Sequence, residues 1–504
     1  MSKYDAIVIG GGINGITAAC VLSRQRKSVA LIEQRGFLGG MATHDRIGPP
    51  AAHLLWNVSP TIIKDIGLST SMSRHLTSIE TICLSETDNH VRIKEGSAFY
   101  LDGTPADPNG EFKKLTKILS KYGSLMKKLA EDVPYGVTGE RTSFKQIVRL
   151  LRFGVSVRSL GKSQMRRFLQ DLLMNASDFI LDDLAEGPLA GLLAADATRG
   201  LFSGPRNPGT VFNLIYRYGH GGKITKPKKG MKNYFEIFEE RMNSLNVDIK
   251  KNTTTKRILI DNDTVMGVEL NNGQTMQSNM VLCSSGLHSL KKLTGVTPFN
   301  IEDTRRIRNL RKTGTTAKVN LKLSSLPSFK NVDRPLTDYR FIIAPSVNYV
   351  EQAFNPCKYN ELSDAPVSES VFIIRSDDVW LSAITQFIPE NLKGGWSDSA
   401  KDAFVATVIR SLSRFFPEID TLILQTELIT PEDFSKDLGV EGGNWHHCEM
   451  SLDQTFNLRP TSSFSAYETG SDGLFLCGAS SHPGGDIMGL SGRNAALQAL
   501  RKIS

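Results

Sequence analysis

Three glycines and one acid near the start of the chain have the spacing that holds a dinucleotide: Gly10, Gly12 and Gly15, with Glu33 18 residues further on. In a G-x-G-x-x-G turn the first glycine makes the tight bend and the second lets the backbone approach a diphosphate. The third lets the following helix lie close to its sheet. Ile13 and Asn14 open that helix, where unpaired N–H groups and the helix dipole favour an anion. Glu33, followed by Gln34, is placed to accept a hydrogen bond from a ribose hydroxyl. An acid there also argues against a 2′-phosphate, and so against NADP.

A second set of residues could move a proton. His447 and His482 carry imidazoles that titrate near neutrality, and a partly buried Asp486 can have its pKa raised by desolvation. Each also has a structural alternative. His482 could brace a glycine turn, and Asp486 could cap the last helix. His446 beside His447 is not a metal pair, because adjacent residues on a helix do not face one another. No nucleophile-elbow motif supports a hydrolytic Ser-His-Asp reading, and no metal site is expected.

The elements that must position these residues are legible around them. Tyr4–Ile9 reads as a strand, Ile16, Ala19, Cys20 and Leu22 recur at helical spacing, and Ser28–Glu33 reads as a second strand. The uncharged stretch Ala6–Ser23 imitates a signal peptide or membrane span, but four glycines and Asn14 interrupt it. At the other end Gly473–Ala479 is a buried-type strand, Ser480–Asp486 a loop, and Ile487–Ala496 the entry to a helix.

Arg35, Gly39 and Gly40 follow Glu33 in the pattern E-x-R-x-x-x-G-G, which resembles the extended fingerprint of FAD enzymes. Matching stretches recur along nearly the whole chain: Ala52–Leu55, Phe202–Thr210, Gly230-Met231, Gly442–His447, Met450–Gln454 and the His482–Gly485 turn. Together they resemble the phytoene-desaturase-like branch of the FAD-dependent oxidoreductases. The resemblance implies FAD as cofactor, with Met41, Gly478, Gly485 and Met488 joining the fingerprint residues around it. The C-terminal turn would face the flavin edge and stabilise negative charge on the reduced ring. Three departures stand out. Pro227-Lys228-Lys229-Gly230 replaces a Pro-x-Gly-Gly turn, Asp486 replaces a small residue, and Ser284-Ser285-Gly286 replaces a Ser-Asn-Ala type turn. The first two favour a more polar substrate.

The expected fold class is α/β: a discontinuous Rossmann-type FAD-binding domain (residues 1–70, 225–295 and 445–504) with an interleaved α+β substrate domain and helical cap (71–224 and 296–444). Within the first, Thr264–Leu270 and Met276–Leu282 flank an Asn272-Gly273 hairpin signal. Residues following Val247–Ile249 are expected near the adenine. Phe341–Ala344 and Val371–Ile374 suggest a sheet floor in the second. The basic, amphipathic stretch Arg141–Arg167 reads as a solvated cap helix, with a membrane-surface segment as the alternative. Arg305–Lys312 reads as a solvated helix face.

The chain has 504 residues, 40% apolar and 22% charged, with 60 Lys and Arg against 52 Asp and Glu for a net charge of +8. This is globular composition without the dense basic stripe of a nucleic-acid binder. Six scattered cysteines with no CxxC or CxxxxC spacing, beside one dinucleotide fingerprint, argue against a disulfide reductase and suit a reducing, cytoplasmic compartment. The expected function is an FAD-dependent oxidoreductase that dehydrogenates, desaturates or oxidises an organic substrate, passing electrons to oxygen or a quinone. A smaller or carrier-bound metabolite of secondary metabolism is one substrate class. The alternatives are a carotenoid-like lipophilic-chain desaturase or isomerase in peripheral contact with a membrane, and a flavin-stabilised interaction protein without activity. Amine oxidation ranks lower because no aromatic pair flanks the final motif.

Overall fold

Ala6–Ile9 and Val29–Ile32 are apolar runs with every residue buried, the signature of strands covered on both faces. They are central in a five-stranded, all-parallel sheet whose strand order is 248–250, 29–32, 6–9, 281–283, 474–476. The chain leaves strand 6–9 in one direction and later returns on its other side, so a crevice opens at the carboxyl ends there. The computed structural model describes residues 2–43, 46–68, 72–134, 144–219 and 221–503. Its α/β architecture is the Rossmann-type arrangement expected, and the five strands come from three widely separated stretches of chain.

Helix Ile13–Arg24 follows the first strand with Asn14–Leu22 buried and with Gly12 as its N-cap. Its burial depends on two close approaches that only glycine permits. A Cβ on Gly15 would overlap the carbonyl oxygen of Gly10, and one on Gly492 would overlap that of Asn14. The second approach seats the C-terminal helix Leu490–Ile503 against the first helix.

The hairpin signal at Asn272-Gly273 forms, joining Thr264–Leu270 to Thr275–Gln277 in a four-stranded sheet. The strand expected over 276–282 is split, however. Ser278 takes its hydroxyl to the carbonyls of Asp5 and Met280, and the chain then enters the parallel sheet as Val281–Cys283. Backbone pairing with two different sheets, invisible to local periodicity, makes the break.

The largest sheet among the described residues is an eight-stranded mixed sheet in the order 423–429, 316–323, 378–386, 368–375, 339–343, 80–84, 91–94, 97–100. Period-two alternation divides its faces. Ile82, Leu84, Phe341 and Ile343 pack with Phe404 and Val408 of helix Asp398–Ser413. Cys83 and Ile342 pack with helices Glu111–Ala130, Pro188–Thr198 and Thr210–Arg217. Phe341–Ile343 and Val371–Ile374 are thus neighbouring strands of one sheet.

Of the basic stretch, Arg141 and the side chains of Phe144, Lys145, Ile147, Arg149 and Leu150 lie outside the described residues. The rest forms helices Phe144–Arg158 and Lys162–Leu173, on which Arg152, Arg158, Lys162, Arg166 and Arg167 are exposed. Arg305 and Arg306 are also exposed, on helix Ile301–Arg308. Among the described residues no helix is long and apolar enough to cross a membrane. All six cysteines are buried and free.

Candidate functional site

A cavity of about 410 Å³ is lined both by the carboxyl ends of the parallel strands, Ile9 and Ile32, and by Ile384 of the eight-stranded sheet. It joins contributions of the two sheets in one space.

At the nucleotide end the lining includes Gly10, Gly12, Ile13, Asn14, Glu33, Gln34 and Arg35, with Thr253 and Thr254 beyond them. Helix Ile13–Arg24 has no side-chain cap, so its first-turn N–H groups are left for a ligand. The Glu33 carboxylate accepts from the backbone N–H of Gly11 at 2.7 Å and of Arg35 at 3.0 Å. Two fixed donors hold it at the edge of the cavity. Thr253 donates its backbone N–H to the Glu33 carbonyl, which places the residues after strand 248–250 where an adenine would follow the ribose. Arg35 donates to the carbonyl of Gly40 at 3.2 Å, and Gly39 donates its N–H to Gly11 at 2.8 Å. These bonds lay the Gly39-Gly40-Met41 loop over the fingerprint turn, with all three residues in the lining. Gly15 and Gly478 act from behind. Gly15 gives the helix its approach to Gly10, and a Cβ on Gly478 would lie 2.5 Å from the Ser284 carbonyl oxygen. Met488 is buried in the core beside helix Ile13–Arg24.

The donor set fits FAD. Bare glycine backbone and free helix N–H groups would meet a diphosphate, Glu33 would meet a ribose, and the far half of the cavity leaves space for a ring system. The C-terminal turn contributes Ala479, Gly485, Asp486 and Ile487 there. A Cβ on Gly485 would overlap His446 Nδ1, and the Gly485 carbonyl accepts from the Tyr216 hydroxyl at 2.7 Å. Asp486 is held at a φ of +83°, a conformation tolerated best by Gly, Asn and Asp. Its Oδ2 accepts from Asn57 Nδ2 at 3.3 Å.

The proton-handling residues separate in space. His447 and Asp486 both line the cavity. Burial, with the Arg459 charge nearby, pulls the His447 imidazole down to about 4, so it is neutral at pH 7. His482 is not in the lining. Its Nε2 donates to the Leu129 carbonyl at 3.0 Å, and its own carbonyl accepts from the Tyr467 hydroxyl at 2.8 Å. That is the bracing role. Lys228 and Lys229 are exposed and outside the cavity, so they carry no information about the substrate.

The opposite wall includes His53, Trp56, Arg199, Arg217 and Trp445, and behind it lies a buried charged network; sequence reasoning missed both. Arg340 reaches Asp196 and Glu369, each at 2.5 Å. Glu369 also meets Arg199 at 2.7 Å and His53 Nε2 at 3.0 Å. Burial alone would raise the Glu369 pKa, but the arginines and the His53 bond hold it well below the usual range. Lys318 donates to the carbonyls of Pro50 and Ala51 and lies 3.5 Å from His53 Nδ1. Burial brings the Lys318 amine down to about 7, against the pull of Glu369 and Glu427, and the His53 imidazole down to about 3. Guanidinium groups stack on two tryptophans. Arg217 lies 4.6 Å and Arg340 4.8 Å from the Trp56 ring, and Arg199 lies 4.9 Å from that of Trp445. Two signals were available: Asp196 and Arg217 are lone charges in otherwise apolar or neutral helical runs, and His53 and Trp445 sit in the matched stretches Ala52–Leu55 and Gly442–His447.

Comparison with known proteins places this geometry. Residues 13–500 match the profile of the family described as flavin containing amine oxidoreductase. "Pyridine nucleotide-disulfide oxidoreductase domain-containing protein 2" of Rattus norvegicus is 28% identical over an alignment covering 99% of this chain and 94% of that protein. Among solved structures, a redesigned putrescine oxidase (a triple mutant) aligns with a TM-score of 0.61 at 13% identity, over 99% of both chains. A "CLA-producing fatty acid isomerase" from P. acnes aligns with a TM-score of 0.53 at 11% identity, over 98% of this chain and 97% of that one. The structural likenesses speak to the fold, and the family match, spanning nearly the whole chain, speaks to descent and to the flavin. The resemblance to FAD-dependent oxidoreductases is borne out: the chain belongs to the flavin-containing amine oxidoreductase family, and its cofactor is FAD.

Proposed function

We propose that this oxidoreductase dehydrogenates a polar organic substrate by taking a hydride from a C–H bond held in the chamber between the C-terminal turn and the eight-stranded sheet. The observation that carries the reading is the continuity of one cavity from the fingerprint glycines to Trp56, Arg199 and Arg217. When bound, FAD supplies the two-electron acceptor, reoxidised in turn by oxygen or a quinone. The residues of the chain do the rest. Gly10–Asn14 and Glu33 anchor the nucleotide, and the tryptophans exclude water from the chamber. Asp486, or the neutral His447, takes the proton that accompanies the hydride. An anaerobic screen of metabolites for flavin bleaching tests this. Bleaching by an organic compound is expected, and a holoprotein that no compound reduces would instead be an interaction protein.

A second reading, oxidation or isomerisation of a lipophilic chain at a membrane surface, is favoured by one observation. Leu151 and Val155, and Leu169 and Leu173, are exposed i,i+4 apolar pairs on the two basic cap helices. Flotation with anionic liposomes distinguishes it, since the first reading expects the protein to stay with the unbound fraction.

A further inference from the structure

We infer that the substrate is an organic anion and that Arg199 and Arg217 receive its carboxylate, an assignment that rests on the oxidation reading above. Arg217 ends the helix Thr210–Arg217 and is only 3% exposed, yet it lines the cavity and its Nη1 has no hydrogen-bond partner. Arg199 is 5% exposed and lines the same wall. Its Nη1 faces Glu369 without the alignment of a hydrogen bond. The indole N–H groups of Trp56 and Trp445, also in the lining, are buried and unpartnered as well.

These four groups are all donors, and buried donors are almost always paired in folded proteins. Arg217 Nη1 and the two indole N–H groups have no acceptor within the protein, and a ligand that brings acceptors would satisfy them. The acids nearby are already engaged. Glu369 is shared by Arg340, His53 and, as an ion pair, Arg199 itself, Asp196 is held by Arg340, and Asp486 accepts from Asn57. Burial weighs most on the Arg217 charge, and the Arg199 like charge acts on it beside the opposite charges of Asp486, Asp196 and Glu369, so a ligand that brings acceptors chiefly offsets desolvation. A carboxylate is the natural acceptor, because its two oxygens match a planar guanidinium fork. The stacked tryptophans meanwhile fix the forks' orientation.

The test uses the purified holoprotein and follows the visible flavin spectrum without turnover. Benzoate and octanoate are titrated alongside their neutral counterparts benzamide and octanamide. The expected result is saturable perturbation by at least one carboxylate, at least tenfold tighter than its amide. In Arg217→Gln the carboxylate affinity falls at least tenfold, whereas Arg217→Lys keeps an intermediate value. Amides binding as tightly as the acids, or carboxylate affinity unchanged in Arg217→Gln, would overturn the assignment. So would loss of FAD itself from Arg217→Gln with FAD retained by Arg217→Lys, which would make the arginine a cofactor ligand. Flavin bleaching by a neutral compound or an amine, with no carboxylate binding, sinks this inference and leaves the oxidation reading standing.

Discussion

Gly12 and Gly40 meet backbone to backbone: a Cβ built on Gly40 would lie 3.2 Å from Gly12 Cα, and one built on Gly12 would lie 4.0 Å from Gly40 Cα. The fingerprint turn and the loop after Glu33 thus bring two side-chain-free positions together on the cavity wall. Nothing in the protein itself crowds the space off Gly12, whereas the space off Gly15 is filled by the Gly10 carbonyl oxygen. One glycine is kept for a ligand and the other for the fold.

Gly12→Ala is therefore expected to lower FAD affinity at least tenfold while costing the apoprotein less than about 1 kcal/mol, as an N-cap change without a clash. Gly15→Ala should destabilise the apoprotein by about 1–3 kcal/mol, because the new methyl meets backbone that cannot rotate away. Flavin titration of the apoproteins and urea unfolding separate the two effects. Equal loss of stability in both variants would remove the distinction.

The nucleotide half of the site was legible in the sequence because its parts are local. A strand, a glycine turn, a helix and an acid occupy residues 6–33, and each imposes a recognisable spacing. The chamber and the charged network behind it were not, because Trp56, Arg199 and Arg217 of the lining and Arg340 and Glu369 behind it come from separate segments that meet only through sheet pairing and helix packing. Asp486 was found as a departure from the family pattern, whereas His482 was given a proton-handling role because an imidazole titrates near neutrality, with bracing of the glycine turn as its alternative. The turn between them points one inward and ties the other to Leu129. Lys228 and Lys229 misled for a related reason: a changed motif reports a changed surface as readily as a changed site.

Asp486→Asn keeps a side chain suited to positive φ and able to accept from Asn57, but it cannot take a proton. With a substrate that bleaches the flavin, kcat is expected to fall roughly 10²-fold with FAD content unchanged. Asp486→Ala should add backbone strain of about 1 kcal/mol to that loss. Steady-state turnover beside flavin absorbance is the measurement. A kcat for Asp486→Asn within twofold of the parent would move the proton to His447.

Arg340 is the only partner that both Asp196 and Glu369 share at hydrogen-bond distance among the described residues. Arg340→Met should destabilise the protein by about 3–5 kcal/mol, since it leaves the buried Asp196 carboxylate without its ion-pair partner and takes from Glu369 one of its two guanidinium partners. Adding Asp196→Asn should restore part of that stability. Urea unfolding of the single and double variants would show this, and additive losses would contradict a coupled network.

His482 makes stability depend on pH in a defined direction. Burial pulls its imidazole from 6.5 to about 4, so between those values the unfolded chain holds a proton that the folded chain does not. The stabilisation of the neutral ring is complete above pH 6.5 and is lost as the pH falls toward 4. The slope approaches, but does not exceed, about 1.4 kcal/mol per pH unit from this one group. His447, also pulled to about 4, adds to the same window. Thermal midpoints should thus drop between pH 6.5 and 4. His482→Gln, whose amide N–H can still donate to Leu129, should flatten the fall by about one proton's worth. A variant with the parent's slope would mean that His482 does not titrate differently in the folded and unfolded states, and the acid sensitivity would then belong to His447 and the buried imidazoles beside the chamber.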